Sequence, residues 1–135
     1  MPFEYFEHDA DVGVIGRGAT LEQAFVSGAE AVFSLITRLQ DVRPRGSVEL
    51  QFEETDAELA FVTWINLLLA HAQENGLVLG KFELGRSGDR WRGRAWGEPW
   101  RAEMERGVDV KGATLTMLSV ARADSGWEAR CIVDV

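Results

Sequence analysis

Cysteine is almost missing from this chain: Cys131 is the only one in 135 residues, so no internal disulfide forms. Histidine occurs only at His8 and His71. These shortages leave no Cys-x-x-Cys, Cys-His or Ser-His-Asp arrangement. Positive charge is also scarce, with 14 Lys and Arg against 22 Asp and Glu, for a net charge of −8. Direct, tight binding to nucleic acid draws on clustered Lys and Arg to neutralise phosphates, so it is not expected. A cation or a basic protein surface is the natural counterpart of such a chain. No long apolar run exists either. The most apolar stretch, residues 59–72, is interrupted by Thr63, Asn66 and His71, too short and too polar to span a bilayer. Gly16-Arg17-Gly18 is a turn signal, and no Gly-rich phosphate loop of the G-x-x-x-x-G-K type occurs. Met1-Pro2-Phe3-Glu4 carries no basic and apolar leader, so a cytoplasmic protein is expected.

What is present is enough for a core. Apolar residues make up 46% of the chain. A chain of this size buries roughly two-thirds of its unfolded surface. One domain over residues 1–135 is expected, without repeats or a dividing linker. Cys131 lies in an apolar, β-branched stretch and reads as an inert buried thiol.

Residues 3–6 alternate weakly and read as an edge strand, and residues 12–15 as a second strand closed by Gly16 and Gly18. Thr20-Leu21-Glu22-Gln23 is a capping box. Behind it Leu21, Phe25, Ala29, Val32, Phe33 and Ile36 keep helical spacing. Gly28 inside that helix costs about 1 kcal/mol relative to Ala, which points to close packing. Residues 41–46, with Pro44, break the helix. Val48, Leu50 and Phe52 alternate with Glu49, Gln51 and Glu53 as a half-exposed strand. Thr55-Asp56-Ala57-Glu58 reads as a second capping box, with Glu58 as its closing residue. It opens a helix over 56–74, apolar on more than one face, that is predicted to be the central buried one and to stop at Asn75-Gly76.

The remainder reads as strand. Residues 77–84 form one or two strands around Gly80. A turn at 86–89 leads into 90–96, which Glu98-Pro99 interrupts. A longer strand over 110–121 turns at 123–126 into 127–135. Arg90, Arg92 and Arg94 share one strand face opposite Trp91 and read as a solvated face. In the last strand Trp127, Ala129, Cys131 and Val133 face the core, and Asp134 points the other way with Glu128, Arg130 and Ile132. Two helices among many strands, without regular alternation, give an α+β fold: a mostly antiparallel or mixed sheet packed with two helices.

The chain is organised around two acidic stretches, His8-Asp9-Ala10-Asp11-Val12-Gly13-Val14 near the start and Cys131-Ile132-Val133-Asp134-Val135 at the end. If the two meet, Asp11, Asp134 and the main-chain oxygens of Val135 form an all-oxygen site for a hard divalent cation. Read singly, the same aspartates are a turn former and a solvated acid. His8 reads as a structural histidine bonding its own loop, or as a neighbour of Asp11. Asp9 reads as a solvated acid and His71 as a partly exposed helix residue. Glu98 and Lys111, taken alone, read as strand-end charges.

Taken in order, several stretches resemble the archease family. They are the His8-Asp9-Ala10-Asp11-Val12-Gly13 opening, Gly18 with Leu21-Glu22, and Trp64-Ile65-Asn66-Leu67-Leu68-Leu69. Gly97-Glu98-Pro99-Trp100, Val110-Lys111-Gly112-Ala113-Thr114 and the closing Asp134-Val135 complete the set. The departures are Asp9 in place of a Thr, no His within residues 101–107, and Thr116 where a second His often stands.

The resemblance implies an accessory factor of an RtcB-type RNA ligase in tRNA splicing and RNA repair, not a catalyst. Such a factor promotes guanylylation of the ligase and its multiple turnover. It also implies a divalent cation, calcium before magnesium or manganese, held by Asp11, Asp134 and Val135. His8, Glu98 and Lys111 are then supporting or partner-contact candidates. Two other classes stay open: a small metal-dependent hydrolase using His8 and Asp11 as acid–base groups, and a chaperone-like binding module.

Overall fold

The computed structural model describes residues 3–8 and 11–135, with His8 described by its backbone alone. Asp9 and the side chain of His8 therefore lie outside the described residues. Among the described residues eight strands and two α-helices run in the order β1 (Phe3–His8), β2 (Asp11–Gly18), α1 (Leu21–Ile36), β3 (Gly46–Glu53), α2 (Ala57–Asn75), β4 (Leu77–Ser87), β5 (Arg90–Pro99), β6 (Gly112–Ala113), β7 (Ser119–Ala123) and β8 (Gly126–Asp134). They build two antiparallel sheets. One has the order β1-β2-β8-β6, with β7 also paired to β8; the other has the order β3-β5-β4. The α+β expectation holds.

Capping fixes both helix starts, once as expected and once not. Thr20 accepts the Gln23 N–H, and the Gln23 side chain takes the Thr20 N–H, which is the reciprocal box. At α2 the N-cap is Asp56 rather than Thr55. Its carboxylate accepts the Glu58 and Leu59 N–H groups at 2.8 and 3.3 Å, and Glu54 takes the Asp56 N–H. Glu58 thus does not close a box; a carboxylate cap one position later than Thr55 takes the orphan donors. α1 ends at Thr37, in extended conformation, well before Pro44. α2 ends on Gly76 at φ +63°, the left-handed stop that Asn75-Gly76 announces.

The central helix is α1, not α2. Leu21, Ala24, Phe25, Ala29, Ala31, Val32 and Phe33 are all buried on it. It packs against β1, β2 and β8 of one sheet and β4 of the other. α2 buries Phe61, Trp64, Ile65 and Leu68 but leaves Leu59 exposed. The two helices meet where Gly28 faces the Phe61 ring: a Cβ at Gly28 would lie 2.6 Å from it. Gly16 serves the same end on the sheet side, its missing Cβ making room for the α1 backbone at Ala24 and Gly28. An aromatic stack of Phe25, Trp91 and Phe52 ties α1 to the second sheet, with centroid spacings of 5.0 and 5.8 Å. The Trp64 indole N–H donates to the Phe25 carbonyl at 2.9 Å, so this buried donor is satisfied.

The arginine strand behaves as its alternation says. Trp91 is buried, while Arg90 pairs with Glu53 and Arg94 with Glu49 on the outer face. β4 is one strand with a register shift between Leu79 and Lys81, rather than two strands. β5 continues to Pro99, because Pro99 ends the ladder opposite Leu77 instead of interrupting it. Cys131 is fully buried, and burial pushes its thiol from 9.0 up to about 12.

The strand expected over 110–121 is two short ones. Gly112 and Ala113 pair with Asp134 and Val133, and pairing resumes at Ser119 opposite Arg130. Between those pairs, the five residues 114–118 face only Cys131 and Ile132. The surplus is extruded as a turn, in the manner of an enlarged bulge.

Candidate metal centre

β2 and β8 are antiparallel neighbours, with Val12 opposite Val133 and Val14 opposite Cys131. One step further along that register sets Asp11 opposite Asp134, the first residue of β2 against the last of β8. Directly opposed residues share a face, with Cβ atoms about 4.5–5.5 Å apart. That face is the one away from the helices, because Val12, Val14, Cys131 and Val133 belong to the core. Asp11 is half-buried and Asp134 exposed. Among the described residues neither carboxylate is paired with a Lys or Arg. Two like charges opposed in this way repel.

The same row extends across the sheet. The His8 backbone pairs with Asp11, and Gly112 pairs with Asp134 on the far side. The Lys111 N–H donates to the Asp134 carbonyl at 2.8 Å, which brings Lys111 to this edge too. Val135 packs its side chain against the core, fixing its main chain next to Asp134. Sheet register therefore gathers five of the six candidate positions: His8 by its backbone, Lys111, Asp11, Asp134 and Val135.

Glu98 is elsewhere. It sits near the end of β5 in the other sheet and is 2% exposed, not a surface charge. Its carboxylate accepts the Arg43 N–H at 2.6 Å and both Nε and Nη2 of Arg101, at 3.0 and 3.3 Å. Burial works to raise its pKa, but the Arg101 and Arg43 hydrogen bonds and charges outweigh it and hold the carboxyl below its usual 4.5. In the unfolded chain it titrates near that usual value. Its stabilising contribution is therefore full above pH 4.5 and is lost as pH falls through the lowered folded value. Glu98→Gln is expected to lower the melting temperature at pH 7, with the gap to wild type closing in acid. An equal gap at pH 7 and pH 3 would show that the charge is not what holds these loops.

One residue that sequence reasoning quoted without a role is Asn66 on α2. Its Oδ1 accepts the Ala113 N–H at 2.8 Å and its Nδ2 donates to the Ala113 carbonyl at 3.3 Å. A side-chain amide thus completes the β6 ladder and holds that strand beside Asp134. The signal was a lone amide in Trp64-Ile65-Asn66-Leu67-Leu68-Leu69. Next to it, a groove of about 700 Å³ between α2 and residues 109–113 is lined by Phe33, Leu69, Trp100 and Lys111. A second groove, of about 960 Å³, lies on the other sheet among Glu49, Glu83, Arg92 and Arg94 and includes none of the candidate residues.

Chemically the row offers hard oxygens: two carboxylates and adjacent main-chain carbonyls. Among the described residues no group of three or more His, Cys, Asp and Glu converges on a metal position. Such a donor set suits a partly hydrated Ca²⁺, Mg²⁺ or Mn²⁺ better than zinc. No helix of the described residues is long and apolar enough to cross a membrane.

Comparison with known proteins agrees with this architecture. Residues 3–135 match the model of the Archease protein family (MTH1598/TM1083). Protein archease of Sulfolobus acidocaldarius is 33% identical over 136 residues, and that of Saccharolobus solfataricus 36%, each alignment covering 98% of both chains. Among solved structures, Methanobacterium thermoautotrophicum protein 1598 superposes with a TM-score of 0.83 at 26% identity, covering 99% of each chain. An archease from Thermotoga maritima, described as a possible chaperone, gives 0.67 at 16% identity over 98% of this chain and 96% of that one, a likeness of fold alone. With the family model spanning nearly the whole chain and full-length relatives above 30% identity, this chain belongs to the archease family.

Proposed function

We propose that this protein is an accessory factor of an RtcB-type RNA ligase, not a catalyst in its own right, and that it promotes guanylylation of the ligase. Family membership supports the partner. The observation that carries the mechanism is the β2–β8 register, which pairs Val12 with Val133 and, carried one step on, sets Asp11 against Asp134. Asp11, Asp134 and a main-chain oxygen of Val135 would hold a divalent cation, calcium before magnesium or manganese. The cation would supply positive charge beside the nucleotide and phosphates of the ligase.

This chain's own residues set the geometry. The Val12–Val133 pair and the core beneath it fix the spacing of the carboxylates. Asn66 and the Lys111 N–H fix the far edge of the row. The net charge of −8 favours a protein or cation partner over free RNA. A chaperone-like role is the reading left if no ligase responds.

The test is direct. A purified RtcB-type ligase from the same source is incubated with GTP and divalent cation, with and without this protein. GMP loading and turnover number are expected to rise at least tenfold with it present. No change in either would remove the accessory reading. Hydrolysis of phosphoesters by this protein alone would favour a metal-dependent hydrolase instead.

A further inference from the structure

The turn over residues 114–118 is unlike the rest of the surface. It is extruded from a strand that is otherwise continuous beside β8. Its base is held firmly: the Thr114 N–H and hydroxyl both donate to the Ile132 carbonyl, at 2.9 and 3.0 Å, and Leu118 packs on the core. Its tip carries Leu115 at 64% exposure and Met117 at 48%, the highest values for large apolar side chains among the described residues. Met117 also sits at φ +53°, in the left-handed region that favours glycine. Folding alone would place Gly or Asn at this position and polar residues around it. The sequence instead presents two apolar side chains on a rigid base in a disfavoured backbone. Strain of this kind points to a use outside the fold.

Its location says what the use is. Gly112 lies directly beside Asp134 and Thr114 is two residues along the same edge. Strand spacing and rise then put the base of the turn within about 10 Å of Asp134. An apolar knob beside an acidic pair that no Lys or Arg among the described residues neutralises complements an apolar recess bordering a positively charged or metal-bearing cleft on another protein. We infer that residues 114–118 are a docking knob, with Leu115 and Met117 seating in such a recess of the partner and delivering the Asp11–Asp134 edge to its charged centre. This rests on the accessory reading above, and the partner is taken to be the ligase.

The experiment titrates this protein against the ligase and reads two quantities, the concentration for half-maximal GMP loading and the maximum loading at saturation. The Leu115→Ser/Met117→Gly variant should raise the half-maximal concentration at least tenfold and leave the maximum within twofold. Calcium binding by the isolated variant should be unchanged, and Met117→Gly alone should melt no lower than wild type. The conservative Leu115→Ile/Met117→Leu variant should restore the wild-type half-maximal concentration. Wild-type stimulation with an unshifted half-maximal concentration in the double variant would overturn the knob alone. A fallen maximum at an unchanged half-maximal concentration would also overturn it. A wild-type protein that does not act on the ligase at all would overturn both the knob and the accessory reading.

Discussion

Asp11→Ala and Asp134→Ala are each expected to abolish stimulation of the ligase while leaving the fold intact. Neither side chain belongs to the core: they occupy the outer face of the first sheet, at the end of the β2–β8 ladder. Removing one of two opposed like charges relieves repulsion, so the cation-free protein should be unchanged or more stable, by up to about 1 kcal/mol. Function should respond in the opposite direction, because a hard cation losing one of two carboxylates loses most of its hold. The double variant should be no worse than either single one, since two acids sharing one cation would act as a unit. Asp9→Ala is the control in sequence and should do little. The measurements are GMP loading, calcium affinity and thermal unfolding on the same preparations. Full stimulation by Asp11→Ala at an unchanged melting temperature would sink the shared site and leave family membership untouched.

Gly16→Ala is expected to be among the most damaging single-methyl changes in the chain. Gly16 is buried on β2, opposite Phe3 on one side and Ala129 on the other. A Cβ there would overlap backbone atoms of Ala24 and Gly28 in α1, not the mobile end of a side chain. Relief requires moving the helix, and α1 is packed against both sheets. Overpacking in a core usually costs roughly 1–3 kcal/mol. With a rigid helix as the obstacle the loss should reach about 3 kcal/mol, or a melting temperature lower by about 10 °C. Gly85→Ala is the matched control: a Cβ on that β4 glycine meets nothing within 4 Å. It should be neutral or slightly stabilising. Equal melting temperatures for the two variants would show that α1 can slide over β2.

Much of this was legible from local chemistry. The Thr20 capping box, the Gly76 stop, the alternation that buries Trp91 and the core face of the last strand are each encoded within a few residues. So was the closeness of packing at Gly28. What sequence patterning misplaced depended on distant partners. Residues 59–72 of α2 carry the longest apolar stretch, yet α1 is central because the two sheets close on it. Residues 110–121 look like one strand because nothing local shows that β8 offers too few partners for them. Glu98 looks like a surface charge because the Arg101 and Arg43 groups that let it be buried are known only once the loops are placed. The candidate centre sits between these cases. Each acidic stretch is visible alone, but only register sets Asp11 against Asp134.

The strand that joins these acids also sets an order of assembly. β8 pairs with β2, β6 and β7, so it is the hub of its sheet. Its partner β2 lies more than a hundred residues earlier in the chain. At synthesis rates of roughly 5–20 residues per second, the β1–β2 hairpin waits several seconds or more for it. During that interval one edge of β2 is unpaired, and unpaired edges recruit other strands. Such long-range pairing also slows refolding of the finished chain relative to a fold built on local contacts. Arg17, which puts a charge on that strand, is then the feature that works against a wrong partner, and the Asp11–Asp134 pair can form only once β8 arrives.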